Sequence, residues 1–417
     1  MAHVIKAGME TNSAAPFSLA ELLRHRAFAL FLLTRICSSA AYQIAAVAVG
    51  WQLYALTSSA FDLGMLGLTQ FIPAAGLTFF AGHAADRYRR QSVVRLCQLA
   101  QGLTALGLTW GSFAGWLTPA MIFMAVALIA AARAFESPAS GALLPATVPA
   151  GSLQKATAIS SSMFQMATII GPALGGLLYA LSPGVPYAVM AVSLLGGALV
   201  TGMIKTAARV VPKEPPTLQA LFAGVGFVRA NQAILGTISL DLFAVLLGGA
   251  TALLPIYAHD ILHTGPWGLG LLRGAPALGA LVTTALVTRA PFERRVGLRM
   301  FQAVIGFGAA TMVFGLSREI WLSVAALFAL GAADMISVVI RLSLVQLRTP
   351  DEMRGRVGAV NYLFINASNQ LGEFESGMTA ALFGAVPAVV IGGVGTVLVA
   401  LLWMRLFPEL KNIEKLE

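Results

Sequence analysis

Charge is scarce in this chain of 417 residues: Asp, Glu, Lys and Arg together make up 11%, against about 25% in an ordinary soluble domain. That scarcity excludes a water-soluble fold. Cysteine is almost missing, with only Cys37 and Cys97. Both stand in or beside apolar stretches with no second ligand close in sequence, so they read as small hydrophobes and imply neither a disulfide nor a metal site. His259 and His263 lie four apart but lack the Cys or third His that a zinc site needs, and they read as residues of a solvated loop. The chain also has no Walker-type phosphate loop, no Gly-x-Ser-x-Gly elbow and no His-Glu-x-x-His motif. ATP hydrolysis and the chemistries those motifs support are therefore not encoded, and no enzyme and no cofactor are expected.

What is present is hydrocarbon. Hydrophobic residues make up 58% and mean hydropathy is +0.80. Apolar stretches near 20 residues recur, such as Phe61 to Ala81 and Val185 to Ile204, and a hydrocarbon core of about 30 Å takes about that many helical residues to cross. Each must be helical, since lipid offers backbone groups no partner. The pattern predicts twelve spans, near 27–55, 61–84, 91–113, 117–140, 153–180, 185–207, 221–258, 266–290, 296–316, 319–345, 355–382 and 386–407. Of the 27 Lys and Arg residues, all but Arg35, Arg273 and Arg318 fall at the N-terminus, the C-terminus or alternate connections and their helix ends. The positive-inside rule then places both termini in the cytoplasm. The net charge of +9 is thus a topology signal, and no nucleic-acid partner is expected. The polar first 26 residues lack the short apolar core of a cleaved signal, so the first span is expected to stay in place.

The chain repeats itself at an offset of 201. Pro149 meets Pro350, Lys155 meets Arg356, Ala158 meets Ala359, Gly171 meets Gly372, and Gly176 meets Gly377; Pro73 to Gly76 echo Pro276 to Gly279 at an offset of 203. The expected fold is therefore all-α and integral to a membrane, with twelve transmembrane helices in two pseudo-symmetric six-helix bundles. The boundaries are a cytoplasmic segment 1–26, a first bundle 27–207, a cytoplasmic linker 208–220, a second bundle 221–407 and a cytoplasmic tail 408–417. Parallel repeats of this kind place a binding site between the halves.

After the second span stands Gly82-His-Ala-Ala-Asp86-Arg87-Tyr-Arg-Arg90, which resembles the loop motif of the major facilitator superfamily, Gly-x-x-x-Asp-Arg-x-Gly-Arg-Arg/Lys. Arg89 stands where the motif has Gly. The resemblance implies a cytoplasmic gate built from Gly82, Asp86, Arg87 and Arg90. In span five, Gly171-Pro172-Ala-Leu-Gly175-Gly176 is similar to the Gly-Pro-x-x-Gly-Gly motif of drug and proton antiporters in that superfamily. Physically, the proline removes a backbone hydrogen bond and the glycines let helices approach closely. Together with Arg354-Gly-Arg356-Val, Ser368 to Gly377, Thr34-Arg35 to Gln43, Gly50-Trp51 and Ala142 to Pro145, these stretches look like the enterobactin-exporter-like branch. That resemblance implies multi-pass residence in a bacterial inner membrane, the major facilitator fold and proton-driven efflux of a siderophore, drug or other small amphiphile by a monomer.

Ionisable side chains cost about 2.5–3.5 kcal/mol each at a bilayer centre, so those inside spans are candidates for function. Arg35, Arg133, Asp241, Arg273, Asp334, Glu373 and Glu375 lie there. Since 133 and 334 differ by the repeat, Arg133 and Asp334 are expected to face one cavity from opposite halves, with Arg35 and Asp241 in a looser version of that relation. Glu373 and Glu375, two apart on a helix, cannot share a face. Tyr42, Gln43, Trp51, Gln52, Phe243 and Asn361 are candidates to touch substrate. A proton-coupled importer or uniporter, and a non-transporting sensor or scaffold, are the alternative readings.

Overall fold

A computed structural model describes residues 19–149, 151–205, 218–289 and 294–415. Among these residues the chain is helical throughout with no strand. After the short α1 (Leu19–Arg24), the long helices of the first part are α2 (Arg26–Thr57), α3 (Ala60–Arg87), α4 (Arg90–Ala114), α5 (Pro119–Leu143), α6 (Leu153–Leu181) and α7 (Val185–Gly202). The 32 residues of α2 make a rod of about 48 Å at 1.5 Å per residue, more than a hydrocarbon core requires. Turns between helices are brief and locally encoded. Ser58 turns left-handed (φ 48°) to end α2, the Ser59 hydroxyl accepts the Asp62 N–H at 3.1 Å to begin α3, and Thr118 with Pro119 starts α5.

The second part holds α8 (Leu218–Ala230), α9 (Gln232–Leu247), the single turn α10 (Leu254–Ile256), α11 (Gly265–Arg289), α12 (Val296–Leu316), α13 (Ile320–Leu347), α14 (Asp351–Phe383), α15 (Ala385–Leu406) and α16 (Pro408–Lys411). Here the expected seventh span, 221–258, is corrected. It is broken at Asn231, which leaves helical geometry and caps the next helix by accepting the Ile234 N–H at 3.2 Å. Beyond α9 the backbone passes through a 3₁₀ turn, α10 and a wide π turn, Tyr257–Ile261, closed by the Leu262 N–H on the Tyr257 carbonyl at 2.8 Å. His259 lies in that helical turn rather than in an open loop.

Ten segments among the described residues are long and apolar enough to cross a membrane. The helices α4 and α14 are as long but more polar, carrying Gln98 and Gln101, and Asn361 and Glu373. They pack among the ten, with α4 against α5 and α7, and α14 against α3, α9 and α15.

The packing repeats as the sequence does. In the first part α2 lies on α6 and α7, α3 on α5, and α4 on α5 and α7; in the second, α9 lies on α14 and α15, α11 on α13, and α12 on α13 and α15. Two seams join the parts, α6 against α11 and α14 against α3, and they are the same contact made twice. Glycine makes both seams possible. A methyl group on Gly270 would stand 2.6 Å from the Pro172 carbonyl oxygen, and one on Gly64 would stand 2.8 Å from the Cα of Gly377. Backbones this close gain dispersion contacts that a lipid-facing helix would otherwise make with acyl chains.

Candidate functional site

Between the two parts lies a cavity of about 1400 Å³, larger than the 300–1,000 Å³ or so of typical small-molecule pockets. It runs from Gly50, Thr251 and Pro255 at one end to Gly82, Glu352 and Arg356 at the other, where Glu352 and Arg356 are exposed. Of the residues expected at the site, Tyr42, Gln43, Arg133, Arg273 and Glu373 line it. The Tyr42 hydroxyl donates to Gln70 Oε1 at 2.8 Å, and the Arg133 guanidinium lies over the Tyr42 ring, 3.7 Å from its centroid. That cation–π contact holds Arg133 against the wall without neutralising it. Arg273 donates to the Ala46 carbonyl at 2.5 Å, which ties α11 to α2 across the divide.

At the closed end the two parts touch through side chains. The Tyr54 hydroxyl donates to Asp260 Oδ2. Asp260 Oδ1 lies 2.5 Å from His259 Nδ1, and the His259 ring sits against Trp51 and Tyr54 with centroids 5.4 and 5.7 Å away. Trp51 is therefore part of this latch, not of the cavity wall. Gln52 is corrected likewise: it turns into the first part and donates to Ser112 Oγ at 3.1 Å. Phe243 packs on Trp403 at the periphery, 39% exposed, and Asn361 is buried away from the cavity lining.

The expected pairing of Arg133 with Asp334 across one cavity does not occur. Asp334 lines a separate small pocket of about 10 Å³ with Asp241 and Arg341, a volume that suits roughly one water molecule. Arg341 is ion-paired to Asp241, and both are buried. Asp334, Ser337 and Arg341 follow at i, i+3 and i+7, one face of α13 that looks into its own bundle rather than toward Arg133. The Arg341 Nε lacks a hydrogen-bond partner.

The equivalent face of α5 is Arg133, Glu136 and Ser140. Buried Glu136 accepts from Gln101 Nε2 at 2.6 Å and from Gln98 Nε2 at 3.3 Å, and Gln98 also donates to Ser38 Oγ at 3.1 Å and accepts from Thr201 Oγ1 at 2.9 Å. Arg35 donates to Ser140 Oγ at 3.4 Å. Arg35 is thus bonded at position 140, and its counterpart Asp241 is paired at position 341, which differs from 140 by the repeat. The first part sets two cations against one carboxylate (Arg35, Arg133, Glu136), and the second sets two carboxylates against one cation (Asp241, Asp334, Arg341).

Glu373 and Glu375 separate as expected from their spacing: Glu373 reaches the cavity, and Glu375 accepts from Thr379 Oγ1 at 2.8 Å within α14. The loop motif divides. Gly82 lines the cavity mouth, Arg87 is exposed, and Arg90 donates to the Ala142 carbonyl at 2.9 Å, satisfying one of the open carbonyls at the end of α5 where a cation also favours the helix dipole. The side chain of Asp86 lies outside the described residues. In the span-five motif, a methyl on Gly171 would meet Gln43 Cβ at 2.6 Å and one on Gly175 would meet the Ile44 carbonyl oxygen at 2.6 Å, while Gly176 abuts Pro266 of the other part. Pro172 supplies the carbonyl that Gly270 approaches. Sequence reasoning missed Glu136, Arg341, Tyr54 and Asp260.

A family model described as transmembrane secretion effector matches residues 16–416. The chain is 28% identical to a protein of Citrobacter koseri named enterobactin exporter EntS, over 95% of this chain and 96% of that one. Among solved structures it resembles a bacterial homologue of the iron transporter ferroportin in an inward-facing state, with a TM-score of 0.69, 18% identity and coverage of 95% and 100% of the two chains. It also resembles a bacterial homologue of the human lysosomal transporter Spinster, inward-facing and unoccupied, with a TM-score of 0.72, 13% identity and coverage of 93% and 98%. At these identities the solved structures carry the fold alone.

Proposed function

Because the chain belongs to the transmembrane secretion effector family and is a multi-pass membrane transporter, we propose that it exports a siderophore or another small amphiphile across a bacterial inner membrane, by alternating access and in exchange for protons. The substrate class rests on the relatives named enterobactin exporter. With the basic connections and both termini in the cytoplasm, the cavity mouth at Gly82 and Arg356 faces the cell interior and the Tyr54–Asp260 latch faces outward. The state described is then the loading state. The bundles 27–207 and 221–407, joined by the linker 208–220, rock about the glycine seams as a single monomer, and no cofactor takes part beyond the proton gradient.

One observation carries the coupling: Asp334 lines a small pocket, apart from the cavity, together with the Asp241–Arg341 ion pair. Two carboxylates beside one guanidinium leave a negative surplus that a proton can cancel. The proton and the cargo then occupy different places in the molecule, and they are linked through α9 and α13 rather than by direct competition.

The test is uptake of enterobactin into inside-out membrane vesicles energised by acidifying their interior. Accumulation that depends on the pH gradient is expected with the wild type, and gradient-independent equilibration with Asp334→Asn. Accumulation of equal size without a gradient would overturn proton coupling, and absence of any vectorial movement would overturn export.

A further inference from the structure

We infer that Arg133 and Tyr42 form an anion subsite in the cavity, so that the cargo is an organic anion whose charged, oxygen-rich group sits at the guanidinium while its apolar body lies along the walls. This deepens the transport reading and rests on it for the word cargo. A guanidinium stays protonated at any pH a cell reaches, so a surplus cation cannot be removed by giving up a proton; it needs an anion or water.

Four features make Arg133 such a surplus. It lines the cavity. Its contact within the protein is the Tyr42 ring face at 3.7 Å, which orients the planar fork without supplying a carboxylate. The carboxylate one turn away, Glu136, is already held by Gln98 and Gln101 and is buried inside the first bundle. The other cavity cation of the membrane interior, Arg273, is engaged with the Ala46 carbonyl and shares the lining with Glu373. The cavity lining is mostly apolar or aromatic, with Phe71, Met190, Leu363 and Phe364 among it, and carries neutral polar groups such as Gln70 and Ser137. Bidentate hydrogen bonding from a fixed guanidinium, in a setting drier than bulk water, selects a carboxylate or an ionised ring hydroxyl over a neutral isostere.

The test uses the purified full-length protein and three probes of one shape: 3-hydroxy-2-naphthoate (anion), 3-hydroxy-2-naphthamide (neutral) and 2-naphthylmethyl-trimethylammonium (cation), with binding measured by equilibrium dialysis. The wild type should hold the anion about tenfold or more tighter than the amide, a difference of about 1.4 kcal/mol, and the cation weakest. Arg133→Gln should erase the preference, and Arg133→Lys should keep part of it. Thermal unfolding of each variant reports its folding, and the wild-type ratio is a test that needs no variant. Equal binding of anion and amide by the wild type, or an intact preference in folded Arg133→Gln, would overturn the subsite. Preference for the anion without vectorial movement in vesicles would support the subsite and strike the export reading. Movement with no preference for charge would do the reverse.

Discussion

The two bundles present the same helix face with the signs reversed. On α5 the positions are Arg133, Glu136 and Ser140, with Arg35 arriving from α2; on α13 they are Asp334, Ser337 and Arg341, with Asp241 arriving from α9. One side has a cation to spare and the other an anion. The two surpluses are not chemically equivalent, because a carboxylate can be neutralised by one proton near physiological pH whereas a guanidinium cannot. This accounts for where each is kept. The surplus cation faces the wide cavity, where water or cargo can reach it. The surplus carboxylate stays in a pocket scarcely larger than a water molecule. Sequence symmetry therefore sets the positions, and the chemistry of each ion sets which way it faces.

The largest effect should come from removing the shared cation. Arg341→Met leaves buried Asp241 and half-buried Asp334 without a counter-ion and should cost about 3–5 kcal/mol of stability. Arg35→Met, at the matching place, loses a bond to a neutral hydroxyl and should cost about 1 kcal/mol. Unfolding midpoints of the two purified variants in detergent measure the gap, and equal losses would break the contrast between the halves. Next come the seams. Gly176→Val and Gly377→Val press a side chain into facing backbone at equivalent sites and should each cost about 1–3 kcal/mol. Transport assays and unfolding should show both impaired alike, so a defect confined to one seam would break their equivalence. Glu136→Gln keeps the shape but sets amide hydrogens against the Gln98 and Gln101 donors, for about 1–2 kcal/mol. Its transport should retain full dependence on the pH gradient, which sharpens the assignment of the proton to the second bundle. The smallest effect is at the latch. Tyr54→Phe removes one hydroxyl bond worth about 0.6 kcal/mol, and labelling of a cysteine introduced at Val49 by a membrane-impermeant thiol reagent applied from the outer side should show the outer end opening more often.

Most of the architecture could be read from the sequence, because lipid allows so few solutions. Ten apolar spans reappear among the described residues, and the repeat glycines let backbones touch at Gly171, Gly176 and Gly377. The site was less legible. Arg341 stands near the end of its helix and reads as one more positive-inside residue, and only its partner Asp241 marks it as internal. Glu136 escapes because its partners Gln98 and Gln101 come from another helix and carry no charge. The contact of Tyr54 with Asp260 joins residues 206 apart, the looser offset that also relates Arg35 to Asp241, but Asp260 falls just past the expected seventh span and so outside the set of ions inside spans. The seventh span was read as continuous because its apolar run does not stop at Asn231; a single capping side chain stops the helix.

The π turn at Tyr257–Ile261 carries one more residue than an ordinary helical turn, and that extra residue aims Asp260 at Tyr54 while His259 meets Trp51. Losing a single codon from this stretch would rewind it to regular pitch and turn Asp260 away from Tyr54 by about 100°. The outer closure would then be lost, because the Tyr54–Asp260 bond and the His259 ring contacts both hang on that turn. An evolutionary lineage could change how readily such a carrier opens outward by inserting or deleting one residue here, without substituting any residue that lines the cavity or pairs Asp241 with Arg341.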